Sequence, residues 1–322
     1  MNWQPETKNW PEKRAVLFVH GIGNSKPGDY DSLVQEFLKG IGEDVADKLA
    51  VYFLYYDDIN DQHANKSQLA DGISKIKGFI KARASQESGD ELSEAIAEYS
   101  SDVIFPVLSE AARINIRERF IAQLQQIRLD GKASGVFFRK QKITIICHSL
   151  GCFHTYEALH GAASNEQYHL LPVTDNMQFA NVIYMAPPVQ LIRSIASKLG
   201  DVVPKSELAT LSGEKLFVPS QKTARGRTVY CTSNWISITG DLDPVGGHLL
   251  KKRLKWAYMN VDTQKSFIDN QSLLNINSEQ ELAKIILSAV NNNSSSLPIN
   301  NPHSWDAYIQ RHKEDLITWL NA

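Results

Sequence analysis

Apolar residues are spaced along this chain in two ways. Five short continuous runs, rich in β-branched and aromatic residues, stand at Ala15 to Val19 (AVLFV), Val51 to Tyr56 (VYFLYY), Lys142 to Cys147 (KITIIC), Phe179 to Met185 (FANVIYM) and Trp235 to Thr239 (WISIT). Each stops at a His, Asp, Pro or Gly, and runs of this kind predict strands buried on both faces, as in parallel sheets. A further strand is expected around Trp256 to Val261. Between the runs the spacing turns helical. Leu33, Phe37, Leu38 and Ile41 mark one face of a helix over Asp31 to Ile41, and a helix follows Cys147 through about Leu159. Ser278, with Glu281 three residues on, opens another helix through a capping box, and Ser304 to Leu320 forms an amphipathic one. The first strand, helix and second strand make a βαβ unit, and the whole alternation predicts an α/β fold around a mainly parallel sheet.

One stretch breaks the alternation. Residues 59–130 are polar and helix-favouring, and their single strand-like segment, Val103 to Leu108, contains Pro106, which argues against a central strand. Within the stretch, Glu110 to Leu129 reads as an amphipathic helix presenting Ile114, Phe120, Ile121 and Leu124. The expectation is one domain over 1–322 carrying a helical insertion at 59–130. That insertion serves either as a scaffold over one sheet face or as a cap or lid over a site. No internal repeat is visible, and only the Asn/Ser/Pro tract from Asn291 to Pro302 is of low complexity.

Composition narrows the partners. With 322 residues, 43% of them apolar and 22% charged, the chain can bury a sizeable core. A net charge of -2, with both signs mixed, gives no reason to expect a nucleic-acid or membrane-surface partner. No apolar stretch is long enough for a transmembrane segment. Cys147, Cys152 and Cys231 are an odd number without metal-site or disulfide-framework spacing, and no Sec-type apolar run follows the first charges. These features predict a cytoplasmic, reducing location and no metal.

The chemistry concentrates at strand ends. Cys147-His148-Ser149-Leu150-Gly151 lies between a buried strand and a helix, where a serine held on a sharp turn stands clear as a nucleophile. The pattern departs from G-x-S-x-G only in having Cys147, itself small, for the first glycine. The N–H of Leu150 opens the new helix at its positive end and is a candidate oxyanion donor. The plain alternative for Ser149 is a helix N-cap. His20-Gly21-Ile22-Gly23 ends the first strand, and the glycines would let the Ile22 N–H turn inward as a second donor. Such a donor typically contributes about 3 kcal/mol in the transition state. A phosphate loop is the competing reading. It fails because Asp29 and Tyr30 stand where Lys and Ser or Thr are required after Gly28, and Lys26 occupies the last dinucleotide-motif glycine position.

A serine nucleophile needs a base, and the base an orienting carboxylate. The turn Gly240-Asp241-Leu242-Asp243-Pro244-Val245 follows the WISIT strand. Asp243, deeper in the turn and followed by Pro-Val, is chosen over Asp241; the plain alternative is an Asp/Pro turn. Among later histidines, His248 lies too close to Asp243, and His312 falls inside the final helix as a surface residue. His303, at the end of the polar loop, is the candidate base. His148 and His154 read as packing or pocket-lining groups.

HGIG, CHSLG, GDLDPV and the HSWDAY segment at His303 to Tyr308, in that order, resemble the α/β-hydrolase superfamily, and within it bacterial lipase- and esterase-like serine hydrolases. The resemblance runs from about Ala15 onward and is unclear inside the insertion. It implies a Ser149, Asp243, His303 triad with Ile22 and Leu150 N–H groups as the oxyanion hole, acting without a cofactor on a small-molecule or lipid ester. A thioesterase, acyltransferase or amidase would use the same residues. From another class, the fold could serve as a non-catalytic binding module.

Overall fold

The computed structural model describes residues 4–21, 29–59, 110–137, 140–164, 179–188, 220–222, 226, 228–238, 309 and 312–321; residues 29–33, 36, 110, 161–164, 220–222, 228 and 229 are described by backbone only. Five strands form one sheet: β1 (Arg14–Val19), β2 (Leu49–Leu54), β3 (Lys142–His148), β4 (Phe179–Met185) and β7 (Thr232–Ile238). Their order is β2-β1-β3-β4-β7, and every neighbouring pair is parallel. A separate antiparallel pair joins β5 (Ser220–Lys222) to β6 (Thr228–Tyr230). The sequence-predicted strands are thus present, with ends set by their partners. β2 stops at Leu54 rather than Tyr56 because Leu54 pairs with Val19, where β1 runs out. β7 starts at Thr232 because β4 offers a partner that far back, at Phe179. The candidate strand at Trp256 to Val261 and the helix expected from Ser278 lie outside the described residues.

The sheet is covered on both faces, which is why its strands are apolar at consecutive positions. One face carries Leu17, Val19, Tyr52, Leu54, Ile145, Cys147 and Tyr184, packed against α3 (Glu110–Ala133) and α4 (Leu150–Ser164). The other carries Val16, Phe18, Phe53, Ile146 and Ile183, packed against α1 (Asp29–Ile41) and α5 (Lys313–Asn321). A four-residue helix, α2 (Glu43–Ala46), links α1 to β2. Each large apolar side chain buried this way contributes about 1.5–3 kcal/mol.

The structure places the described part of the expected insertion in the core. Ala112, Ile116, Phe120, Leu124 and Ile127 line the buried stripe of α3, whereas Ile114 is only half-buried. α3 runs one turn beyond Leu129 and ends in a paired closure at Gly135, whose φ is 79°. There the Val136 N–H bonds the Gly131 carbonyl at 2.8 Å and the Gly135 N–H bonds the Lys132 carbonyl at 3.0 Å. Arg119 pins the helix to the end of β2, pairing with the Asp58 carboxylate and donating to the Tyr55 carbonyl at 3.0 Å. Residues 60–109 lie outside the described set. No described helix is long and apolar enough to cross a membrane.

The strand order fixes where a site belongs. From β1 the chain moves outward to β2, then returns past β1 to β3 and continues the other way. β1 and β3 are therefore neighbours whose following helices leave to opposite faces, and the carboxyl ends of such a pair open a crevice where ligands bind in open α/β sheets.

Candidate active site

β1 and β3 run in register with Val19 beside Cys147, so the residues that follow them, His20 and Gly21 on one side and His148 and Ser149 on the other, come together at that crevice. Ser149 is the single residue between β3 and α4. To turn from strand to helix in one step it adopts a left-handed backbone, φ 51°, which costs an L-residue about 1–2 kcal/mol. Two hydrogen bonds hold it there. Its N–H donates to the Met185 carbonyl at 3.0 Å, and its carbonyl accepts from the Cys152 N–H at 2.9 Å.

Two glycines let backbone close around this turn. A β-carbon on Gly151 would lie 2.2 Å from the His20 carbonyl oxygen and 2.5 Å from that of Val19, so α4 seats on the end of β1 only because none is there. A β-carbon on Gly21 would lie 2.7 Å from the Ser149 Cβ and 3.1 Å from its Oγ. The Gly21 backbone therefore passes directly over the serine side chain. Cys147, the departure from the glycine pattern, points away from this contact into the core, its thiol donating to the Ile183 carbonyl at 3.3 Å. Cys152 likewise donates to the Met185 carbonyl at 3.4 Å, and burial pushes its thiol pKa well up, so it is no thiolate nucleophile. Leu150 is fully buried and opens the fifteen-residue helix α4; its N–H belongs to the first turn, whose amides have no helical carbonyl to bond.

Behind the serine lies a buried cluster in which His20 and His154, both named from the sequence, meet Tyr56, which was read only as a strand end. The Tyr56 ring stacks on His20, centroids 4.9 Å apart and planes 7° from parallel, and meets the His154 ring edge-on at 4.9 Å. The Tyr56 hydroxyl donates to the His20 carbonyl at 2.5 Å and lies 3.2 Å from the Gly21 carbonyl. Asp57 stands 3.8 Å from the His20 imidazole, and Arg113 pairs with Glu157 at 3.2 Å. Burial lowers the pKa of His20 to about 3, opposed by a hydrogen bond with the Gly21 backbone. Burial also lowers that of His154 to about 3, helped by the charge of Arg113. Both rings are neutral at physiological pH, yet too weakly basic to serve well as a general base. For Asp57 a signal was present in the sequence: it follows directly on the strand predicted over Val51 to Tyr56, at the same end of the sheet as Gly21 and Ser149.

The structure brings Ser149, Leu150, His20 and Gly21 together. Ile22, Asp243 and His303 lie outside the described residues, as do Asp241 and His248. His148 and His154 are both buried beside the turn, as packing groups should be. His312 precedes α5 rather than lying within it, 3.6 Å from Asp315 and partly exposed. Compared with known proteins, the chain matches no family model, no curated protein and no solved structure.

Proposed function

We propose that the protein is a serine hydrolase of the α/β-hydrolase type that cleaves carboxylic esters through an acyl-enzyme on Ser149. The observation that carries this reading is the left-handed Ser149 between β3 and α4, pressed by Gly21 and Gly151 at the sheet's switch point. A sheet of order 2-1-3-4-5 is also used by flavodoxin-like proteins. What favours the hydrolase is that the residue after β3 is a strained serine, and strain of this kind collects where it serves a mechanism. In the proposed reaction His303, oriented by Asp243, takes the Ser149 proton as the oxygen attacks the ester carbonyl. The Leu150 and Ile22 N–H groups receive the developing oxyanion, the alcohol leaves with the proton from His303, and His303 then activates water to release the acid. Part of 59–130 and the segment from Val189 to Ser220 would wall the acyl pocket. Three unpaired thiols support a reducing, cytoplasmic setting.

The test is hydrolysis of p-nitrophenyl esters of increasing acyl length, with fluorophosphonate labelling in parallel. Ser149→Ala is expected to lose activity by about a million-fold, to background, and His303→Ala by a similar factor, with circular dichroism unchanged. A parent that neither turns over esters nor takes the fluorophosphonate would sink the hydrolase reading and favour a binding module. Turnover of thioester or amide in preference to ester would redirect it to the corresponding acyl-transfer enzyme.

A further inference from the structure

We propose that Tyr56 is a positioning residue for the chemistry at Ser149: its hydroxyl holds the His20–Gly21 peptide so that its N–H side is offered to the reacting carbonyl. The inference rests on the serine-hydrolase reading and adds to it a residue outside the expected triad and oxyanion hole.

The geometry is specific. Two successive carbonyls, His20 at 2.5 Å and Gly21 at 3.2 Å, face one phenolic oxygen. A trans peptide is planar and carries its N–H opposite its carbonyl. A hydroxyl that holds the His20 carbonyl on one side therefore directs the N–H of the same peptide, that of Gly21, to the other. The Gly21 backbone is also the one that passes over the Ser149 hydroxyl. The clamp cannot drift, because Tyr56 is fully buried, its ring fixed face-on by His20 and edge-on by His154. In water a loop peptide can rotate through either face. Here one face is taken by a buried hydroxyl, and a donor preset in this way reorganises little as charge develops.

The experiment compares Tyr56→Phe with Tyr52→Phe in the full chain. Both variants lose one buried hydroxyl and keep the ring, but the Tyr52 hydroxyl bonds Trp10 and Asp130, away from Ser149. With p-nitrophenyl butyrate, Tyr56→Phe is expected to lower kcat by about 10- to 100-fold while KM stays within about twofold. The rate of Ser149 labelling by a fluorophosphonate should fall in step. p-Aminophenylalanine at position 56, which restores a donor, should recover most of the rate, and Tyr52→Phe should leave kcat at the parent value. If Tyr56→Phe does not fold, p-fluorophenylalanine at position 56 supplies the same lost donor with less loss of volume. Parent-like kcat and labelling in the donor-free variant, with Ser149 still the labelled residue, would overturn the inference and leave the hydrolase standing. So would an equal loss in Tyr52→Phe, which would mean that only stability had changed. A parent that is not labelled at Ser149 overturns the hydrolase reading itself, and the role of Tyr56 with it.

Discussion

Tyr52 and Tyr56 stand four residues apart, on β2 and just past its end, with both rings in the same core, yet they belong to two different kinds of structure. At Tyr52 the hydroxyl and the carboxylate it meets are each engaged by more than one partner. The Trp10 indole donates to its hydroxyl at 3.0 Å, and the hydroxyl donates to Asp130 at 2.9 Å. The same carboxylate takes the Lys8 N–H at 2.7 Å and the Gln126 amide at 2.6 Å. Burial, then Asp130, holds the Tyr52 phenol well above its ordinary pKa. At Tyr56 the hydroxyl is spent on main-chain carbonyls, the histidines beside it are held neutral, and the adjoining serine backbone is strained. The network around Tyr52 and Asp130 thus stores stability in polar groups that satisfy one another. The carboxyl end of the sheet stores conformation, at a cost in stability.

Three substitutions or conditions sharpen this contrast. The largest effect is expected from Gly151→Ala. The new methyl meets two backbone carbonyls that cannot rotate aside, so urea unfolding should show a loss of about 3 kcal/mol, and fluorophosphonate labelling of Ser149 should disappear. A variant as stable and as reactive as the parent would mean that the seat of α4 on β1 is looser than described. Next comes pH. His20 and His154 have folded pKa values near 3 against an ordinary 6.5, so the unfolded chain binds more protons between those limits. Stability is therefore complete above pH 6.5 and falls as pH drops toward 3, by up to about 1.4 kcal/mol per pH unit for each histidine. His154→Gln should make that slope shallower between pH 6.5 and 5 in denaturant titrations. An unchanged slope would show that His154 is not the group held neutral. The smallest effect is at the serine: Ser149→Gly relieves the left-handed backbone and should raise stability by about 1 kcal/mol while abolishing esterase activity. A destabilised Ser149→Gly would mean that the turn is not under strain.

The sequence made the sheet legible because a strand buried on both faces has no choice but to be apolar at consecutive positions, as in AVLFV and KITIIC. Strand ends were less so. Tyr55 and Tyr56 look like β2, and only the length of β1 keeps them out of the ladder. The serine turn was legible from its neighbours, with Gly151 required by backbone contact. Cys147 shows that the position two before Ser149 accepts a side chain that turns into the core. Tyr56 escaped notice because a tyrosine in an apolar run gives no sign of where its hydroxyl goes. That depends on which strand lies next door. Amphipathic spacing in α3 fitted both a core helix and a lid, and the two are separated only by what the stripe touches, which for Phe120 and Leu124 is the core.

The tie between β1 and α5 has a consequence for how the protein is made. The Arg14 guanidinium bonds the Leu320 carbonyl at 2.6 Å and the Asn321 carbonyl at 2.8 Å, and the Asn181 amide reaches the Trp319 carbonyl at 2.8 Å. A strand that leaves the ribosome early thus waits for a helix 306 residues behind it. Until α5 arrives, α1 already sets Phe37 against Phe18, but the part of this face that Leu316 and Leu320 cover stays an open greasy plane on a nascent chain. At elongation rates of about 5–20 residues per second that interval is tens of seconds, long enough for a chaperone to bind that plane before Leu316 and Leu320 displace it.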